Sequence, residues 1–128
     1  RGIEAGRRIE AARGIEAGWG IEAGRGIEAG RGIKAGWGIE AGEGIEAGES
    51  IEAGRGIEAG RGIEAGEGIL SGLFVKCAMV LKFKYNLFAG AAQWKKTEPE
   101  DCVIECERLE GGEVKYGTVK LLETKKGE

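Results

Sequence analysis

Ile15-Glu16-Ala17-Gly18-Trp19-Gly20-Ile21-Glu22-Ala23-Gly24-Arg25-Gly26 is two turns of a hexapeptide, G-I-E-A-G-x, that recurs twelve times between residues 1 and 74. Isoleucine falls at positions 3, 9, 15, 21, 27, 33, 39, 45, 51, 57, 63 and 69 with no slip in register. A helix of this composition is excluded on energy. Each interior glycine costs about 0.8–1 kcal/mol relative to alanine. The 20 glycines of residues 1–68 would together cost about 16–20 kcal/mol, more than the ~5–15 kcal/mol stability of an ordinary domain. Collagen is excluded because the glycines alternate at spacings of four and two rather than three. A disordered linker has no reason to hold isoleucine at a strict period.

Within Ile-Glu-Ala, strand alternation sends Ile and Ala to one face and Glu to the other. The Gly-x-Gly that follows reads as a corner, with two residues free to adopt positive φ. A three-residue strand followed by a corner cannot build a flat sheet, so the chain must wind and stack on itself as a solenoid. Three hexapeptides per coil stack residues 18 apart, about 4.7–4.9 Å from one coil to the next. Trp19 and Trp37 then lie one above the other, followed in the same column by Arg55 and Leu73. Lys34 falls between Glu16 and Glu52, relieving a run of carboxylates. Two further corner columns are Arg7, Arg25, Glu43, Arg61 and Arg13, Arg31, Glu49, Glu67. Two hexapeptides per coil would put the tryptophans on opposite sides.

The Ile ladder from Ile3 to Ile69 resembles the hexapeptide-repeat left-handed parallel β-helix, whose motif places an aliphatic residue at an inward site every six positions. The chain departs from that pattern in one respect. The small inward residue, Ala, comes two positions after Ile rather than two before. Acyltransferases of that family use a catalytic histidine, and this chain has none. The resemblance therefore implies architecture and not activity.

The predicted fold is all-β: a three-sided parallel β-solenoid of 18-residue coils closed by a C-terminal β-hairpin cap. Residues 1–74 form the regular array. Val75, Leu81 and Leu87 continue the Ile spacing, with Cys77, Phe83 and Ala89 in the small inward place, so residues 75–92 read as a degenerate final coil; the alternative is an amphipathic hairpin in which Lys82, Lys84 and Asn86 alternate with Leu81, Phe83, Tyr85 and Leu87. In that coil Lys76 would stack on Glu58, Lys82 on Glu64 and Phe88 on Leu70. Residues 93–128 are expected to form a loop and then the hairpin. Gln93 to Asp101, with the only proline, Pro99, supplies the loop. Cys102–Leu109 and Glu113–Leu122 are the hairpin strands, joined by Glu110-Gly111-Gly112. Gly117 marks a bulge or a close approach. The hairpin would cover the open edge of the last coil, and residues 123–128 would fray.

Composition narrows the function. The net charge is −3 over 128 residues. Residues 1–68 hold 9 basic and 13 acidic side chains (−4), and the remainder 10 and 9 (+1). Neither half is basic enough to attract nucleic acid by charge alone. The longest apolar run of the tail, Cys77–Leu81, is too short to span a membrane. No secretory signal is legible, and three cysteines suit a reducing compartment, so a cytoplasmic setting is expected. With no histidine and no paired cysteine spacing, neither a triad nor a metal site is expected. The glutamates repeat outward without a singular pair, and Ser50 and Ser71 have no base in pattern. The Gly-x-Gly units open no helix, so they are no phosphate loop. A non-enzymatic protein without cofactor follows.

The leading expectation is a rigid structural or interaction protein that forms a homo-oligomer by edge pairing of its N-terminal coil. Candidate interaction residues are Trp19, Trp37, Arg55, Arg7, Arg25, Ile3 and Ile9. A second reading, motivated by the acidic ladders, is a small phage-type inhibitor or nucleic-acid mimic whose partner is a host nuclease. The interspersed arginines weigh against it. A third, an ice- or glycan-binding face, ranks last because the array has no threonine. The paired tryptophans also suit a stacking platform for a base or sugar, though a protein contact is the stronger reading.

Overall fold

A computed structural model describes residues 2–92 and 94–122. Each Ile-Glu-Ala of the array is a three-residue strand: β1 (Ile3–Ala5), β2 (Ile9–Ala11), β3 (Ile15–Ala17), β4 (Ile21–Ala23), β5 (Ile27–Ala29), β6 (Ile33–Ala35, with Lys34 in place of Glu), β7 (Ile39–Ala41), β8 (Ile45–Ala47), β9 (Ile51–Ala53), β10 (Ile57–Ala59), β11 (Ile63–Ala65) and, with Leu70 and Ser71 in place of Glu and Ala, β12 (Ile69–Ser71). They pair in parallel with the strand 18 residues away, Ile on Ile throughout and Glu on Glu and Ala on Ala except where Lys34 faces Glu16 and Glu52 and where Leu70 and Ser71 face Glu52 and Ala53. The predicted three-sided solenoid with 18-residue coils is therefore the fold.

The inward ladder is the core. From Ile21 to Ile69 each isoleucine of the array is at most 1 % exposed, and the alanine two positions on is buried beside it, with Ser71 taking its place in the last hexapeptide. A parallel ladder directs the amide and carbonyl of alternate residues to opposite neighbours. Here the hydrogen bonding continues through the corners. Gly24 donates to the Ala5 carbonyl at 2.9 Å and Arg25 to that of Arg7 at 3.0 Å, so the turns are laddered as well as the walls.

The corner glycines serve a different purpose from the one expected. None of the described glycines of the array has positive φ; among the described residues that region is used only by Gly90, Gly111 and Gly117. The glycine after each Ala is needed for close approach. A Cβ on any of Gly24, Gly30, Gly36, Gly42, Gly48, Gly54, Gly60, Gly66 or Gly72 would lie 2.0–2.2 Å from a carbonyl oxygen of the preceding coil. Ala12, the one exception among the first eleven repeats, sits in the first coil. The glycine before each Ile is under less pressure from the neighbouring backbone, with carbonyl contacts from 2.8 Å at Gly2 and Gly68 to 3.6 Å at Gly44, while Gly56 meets the Phe74 ring instead. Arg8 and Ser50 occupy that position elsewhere.

Beyond the array the winding goes on. β13 (Val75–Cys77) stacks on β10, with Lys76 on Glu58. The next strand, β14 (Val80–Ala89), is ten residues long and runs through a corner without a break. Its first half sets Lys82 on Glu64 and its second sets Phe88 on Leu70. Phe83 and Ala89 point into the core, as expected. A segment from Gly90 to Glu98 holds no described strand and leads into a single 3-10 turn, Pro99–Cys102.

The predicted C-terminal hairpin is not formed. β15 (Val103–Cys106), β16 (Arg108–Tyr116) and β17 (Thr118–Leu121) pair in parallel with β13, β14 and β15 respectively. They add coils to the rod, and one wall thereby reaches seven strands. Glu110-Gly111-Gly112 is no turn: it lies inside β16 where that strand follows β14 around its corner. A Cβ on Gly111 or Gly112 would strike the Phe83 or Tyr85 carbonyl oxygen, and Gly111 has φ +103°. Gly117 does mark a close approach, against the Ile104 and Ala89 side chains. Nor do the described residues cover the last coil. Val119 and Leu121, in the inward places of β17, are 40 % and 59 % exposed. The fraying expected at 123–128 lies outside the described residues.

Candidate functional site

The corner that joins the third wall to the first holds the column foreseen from the 18-residue spacing. Trp37 donates its amide to the Trp19 carbonyl at 3.0 Å, Arg55 to Trp37 at 2.9 Å and Leu73 to Arg55 at 2.9 Å. With the backbone fixed in this way, the side chains have little choice but to stack. The indoles of Trp19 and Trp37 lie with centroids 5.2 Å apart and planes 4° apart. The guanidinium carbon of Arg55 lies 4.2 Å from the Trp37 ring centroid, an attraction worth about 0.5–2 kcal/mol.

Trp94 completes this cluster and was not foreseen. It comes from the segment between coils, donates its Nε1 hydrogen to the Gly54 carbonyl at 3.2 Å, and sits 5.1 Å from the same guanidinium. The only sequence signal was a lone tryptophan in a polar loop, which says nothing about where the loop lands. Arg55 is thus held between two indoles, while Trp19, Trp37 and Trp94 stay exposed.

Beside the column runs a groove of about 650 Å³ along the first wall. Its floor is Gly20 and Gly38, one bank is the indole column, and the other is the ladder Glu4, Glu22, Glu40, Glu58. Phe74 closes it at one end. The ring lies across Gly56, where a Cβ would fall 2.3 Å from its Cζ, and the Lys76 ammonium sits 4.8 Å from the ring centroid.

The other candidate residues lie apart from this corner. Arg7 and Arg25 stack in the corner between the first and second walls. Ile3 and Ile9 occupy the inward places of the first coil and are only half-buried. β1, β2 and β3 are the end strands of their sheets. Because Ile3 donates to Gly20 and Ala5 accepts from Gly24, the amide and carbonyl of Glu4 are directed to the open edge. The same holds for Glu10 and Glu16, by the bonds of Ile9 and Ile15. One exposed ion pair, Arg8 to Glu28 at 3.2 Å, bridges the first two coils; such pairs contribute about 0–1 kcal/mol.

The described residues contain no group of three or more potential metal ligands, and no helix among them is long and apolar enough to cross a membrane. Cys77 and Cys106 are buried on neighbouring strands, one step beyond the Lys76–Glu105 pair. Burial, reinforced by the Cys106 thiol, pushes the Cys77 thiol up to about 12, which makes it inert rather than nucleophilic. Ser71 is fully buried with its hydroxyl 2.6 Å from the Arg55 carbonyl and 2.9 Å from that of Phe74, a structural tie of the corner beneath Leu73. Comparison with known proteins finds no matching family model, no matching curated protein and no matching solved structure.

Proposed function

We propose that this chain is a non-enzymatic structural and interaction protein, a rigid rod of the hexapeptide-repeat type that self-associates through the edge of its first coil. The observation that carries this reading is that no described strand pairs with the outer side of that edge. β1, β2 and β3 turn the backbone groups of Glu4, Glu10 and Glu16 outward, around a core end at which Ile3 and Ile9 are half-buried. An open strand edge beside uncovered apolar surface is the usual template for pairing with another chain. The thiols Cys77, Cys102 and Cys106 are free, which suits a reducing, cytoplasmic setting.

Sedimentation velocity across a thousandfold dilution tests the reading. A dimer or larger species that dissociates on dilution is expected. Glu4→Pro with Glu10→Pro deletes two edge-facing amides while leaving the bonds to the second coil in place, and should shift the equilibrium to monomer. A wild-type chain that stays monomeric at the highest concentration overturns the proposal.

A further inference from the structure

We infer that the groove along the first wall is a binding site for a planar aromatic cation, lying along the rod axis over Gly20 and Gly38 against the Trp19 and Trp37 indoles. Shape comes first. The floor is bare backbone at Gly20 and Gly38, so a flat molecule can approach the sheet without displacing a side chain. Phe74 shows how the chain itself uses the channel. Its ring lies flat across Gly56, the next floor position, with the Lys76 ammonium above it. Gly38 and Gly20 repeat that floor position one and two coils further down, with no ring of the described chain across them.

Charge sets the sign of the occupant. Four carboxylates, Glu4, Glu22, Glu40 and Glu58, and one guanidinium, Arg55, line the groove, a formal −3. Arg55 is already engaged between Trp37 and Trp94 at the far end. The carboxylates share one row at the coil spacing of about 4.8 Å; Lys76 already faces Glu58 at the Phe74 end, whereas Glu4, Glu22 and Glu40 face only carboxylates, so a cation laid over Gly20 and Gly38 relieves that stretch. The indole faces are taken up by each other and by Arg55, so the column offers the groove a flat apolar bank of ring edges, which a broad aromatic cation covers better than a compact ammonium does. An anionic aromatic meets the same indoles but the wrong field.

Thioflavin T, a planar benzothiazolium cation, is the probe, titrated against the full chain by its fluorescence and by quenching of the tryptophans. Saturable binding that weakens with added salt is expected. An anionic naphthalene sulfonate should bind at least about tenfold more weakly. Trp19→Ala with Trp37→Ala should weaken the dye about tenfold or more, and Glu22→Gln with Glu40→Gln should weaken it and flatten the salt dependence. Gly38→Phe leaves both indoles and every carboxylate in place while laying a ring over Gly20, as Phe74 does over Gly56, and should abolish binding. Circular dichroism confirms that each variant keeps its β signal, and Gly38→Phe decides the matter if the tryptophan variant does not fold. Equal affinity for the two dyes, or unchanged dye affinity in Gly38→Phe, overturns the inference.

Discussion

Gly42 lies so near Gly24, one coil below, that a Cβ on Gly42 would sit 2.1 Å from the Gly24 carbonyl oxygen; at Gly44 the corresponding contact, with Gly62, is 3.6 Å. The two glycines of one corner are therefore unequal. Gly42→Ala should destabilise the rod at or above the upper end of the usual ~0.5–3 kcal/mol range for single substitutions. Gly44→Ala should be neutral, or stabilising by about 0.4–1 kcal/mol through the unfolded chain. Denaturant midpoints of the two variants check this directly, and equal losses would contradict the asymmetry.

Trp37 is the centre of its column, with an indole on one side and a guanidinium on the other. Trp37→Ala should cost about 1–3 kcal/mol from the lost stacking and cation–π contacts. Near-ultraviolet circular dichroism should lose the coupled signal of the indole pair, whereas Trp94→Ala should leave that signal largely intact.

Lys34 is paired in register with Glu16 on one side and Glu52 on the other. Lys34→Glu would create three adjacent carboxylates, and should destabilise by about 0.2–1 kcal/mol per like-charge contact at low salt. Raising the ionic strength should recover most of that loss. Thermal melts at two salt concentrations decide it.

Cys77 provides the pH dependence. Its thiol, with a reference value of 9.0, is pushed up to about 12 in the folded chain. Between these values the unfolded chain has lost the proton and the folded chain still holds it, so stability falls as pH rises through this window. Cys77→Ala, which restores the residue used elsewhere in the ladder, should flatten the slope. Denaturant unfolding at pH 8 and at pH 10.5 compares the two proteins. Alkylation of the native chain at neutral pH should spare Cys77 and Cys106, both buried.

Much of this architecture was legible because the determinants are periodic. Ile3 to Ile69 defines the inward face, and the 18-residue interval between Trp19 and Trp37 counts the walls; both signals survive as stacked pairs. Glu110-Gly111-Gly112 misled because a diglycine suits a hairpin and a tight corner equally. What separates the two is the carbonyls of Phe83 and Tyr85 beneath it, which belong to another coil. The role of the array glycines was hidden for the same reason: close approach is a relation between residues 18 apart, whereas φ is local. The aromatic column was readable from spacing, but Trp94 was not, since an irregular segment carries it there and no period points to its landing place.

The backbone bonds that tie each corner to the one beneath it also constrain how such a rod can lengthen. Inserting or deleting eighteen residues within the array returns every side chain to its own column, so whole coils can be gained or lost without retuning the rest. A change of six residues between Trp19 and Trp37 would preserve the isoleucine core yet carry the two indoles to different corners. Length is therefore free only in steps of one coil, and the surface pattern, rather than the interior, is what enforces the step.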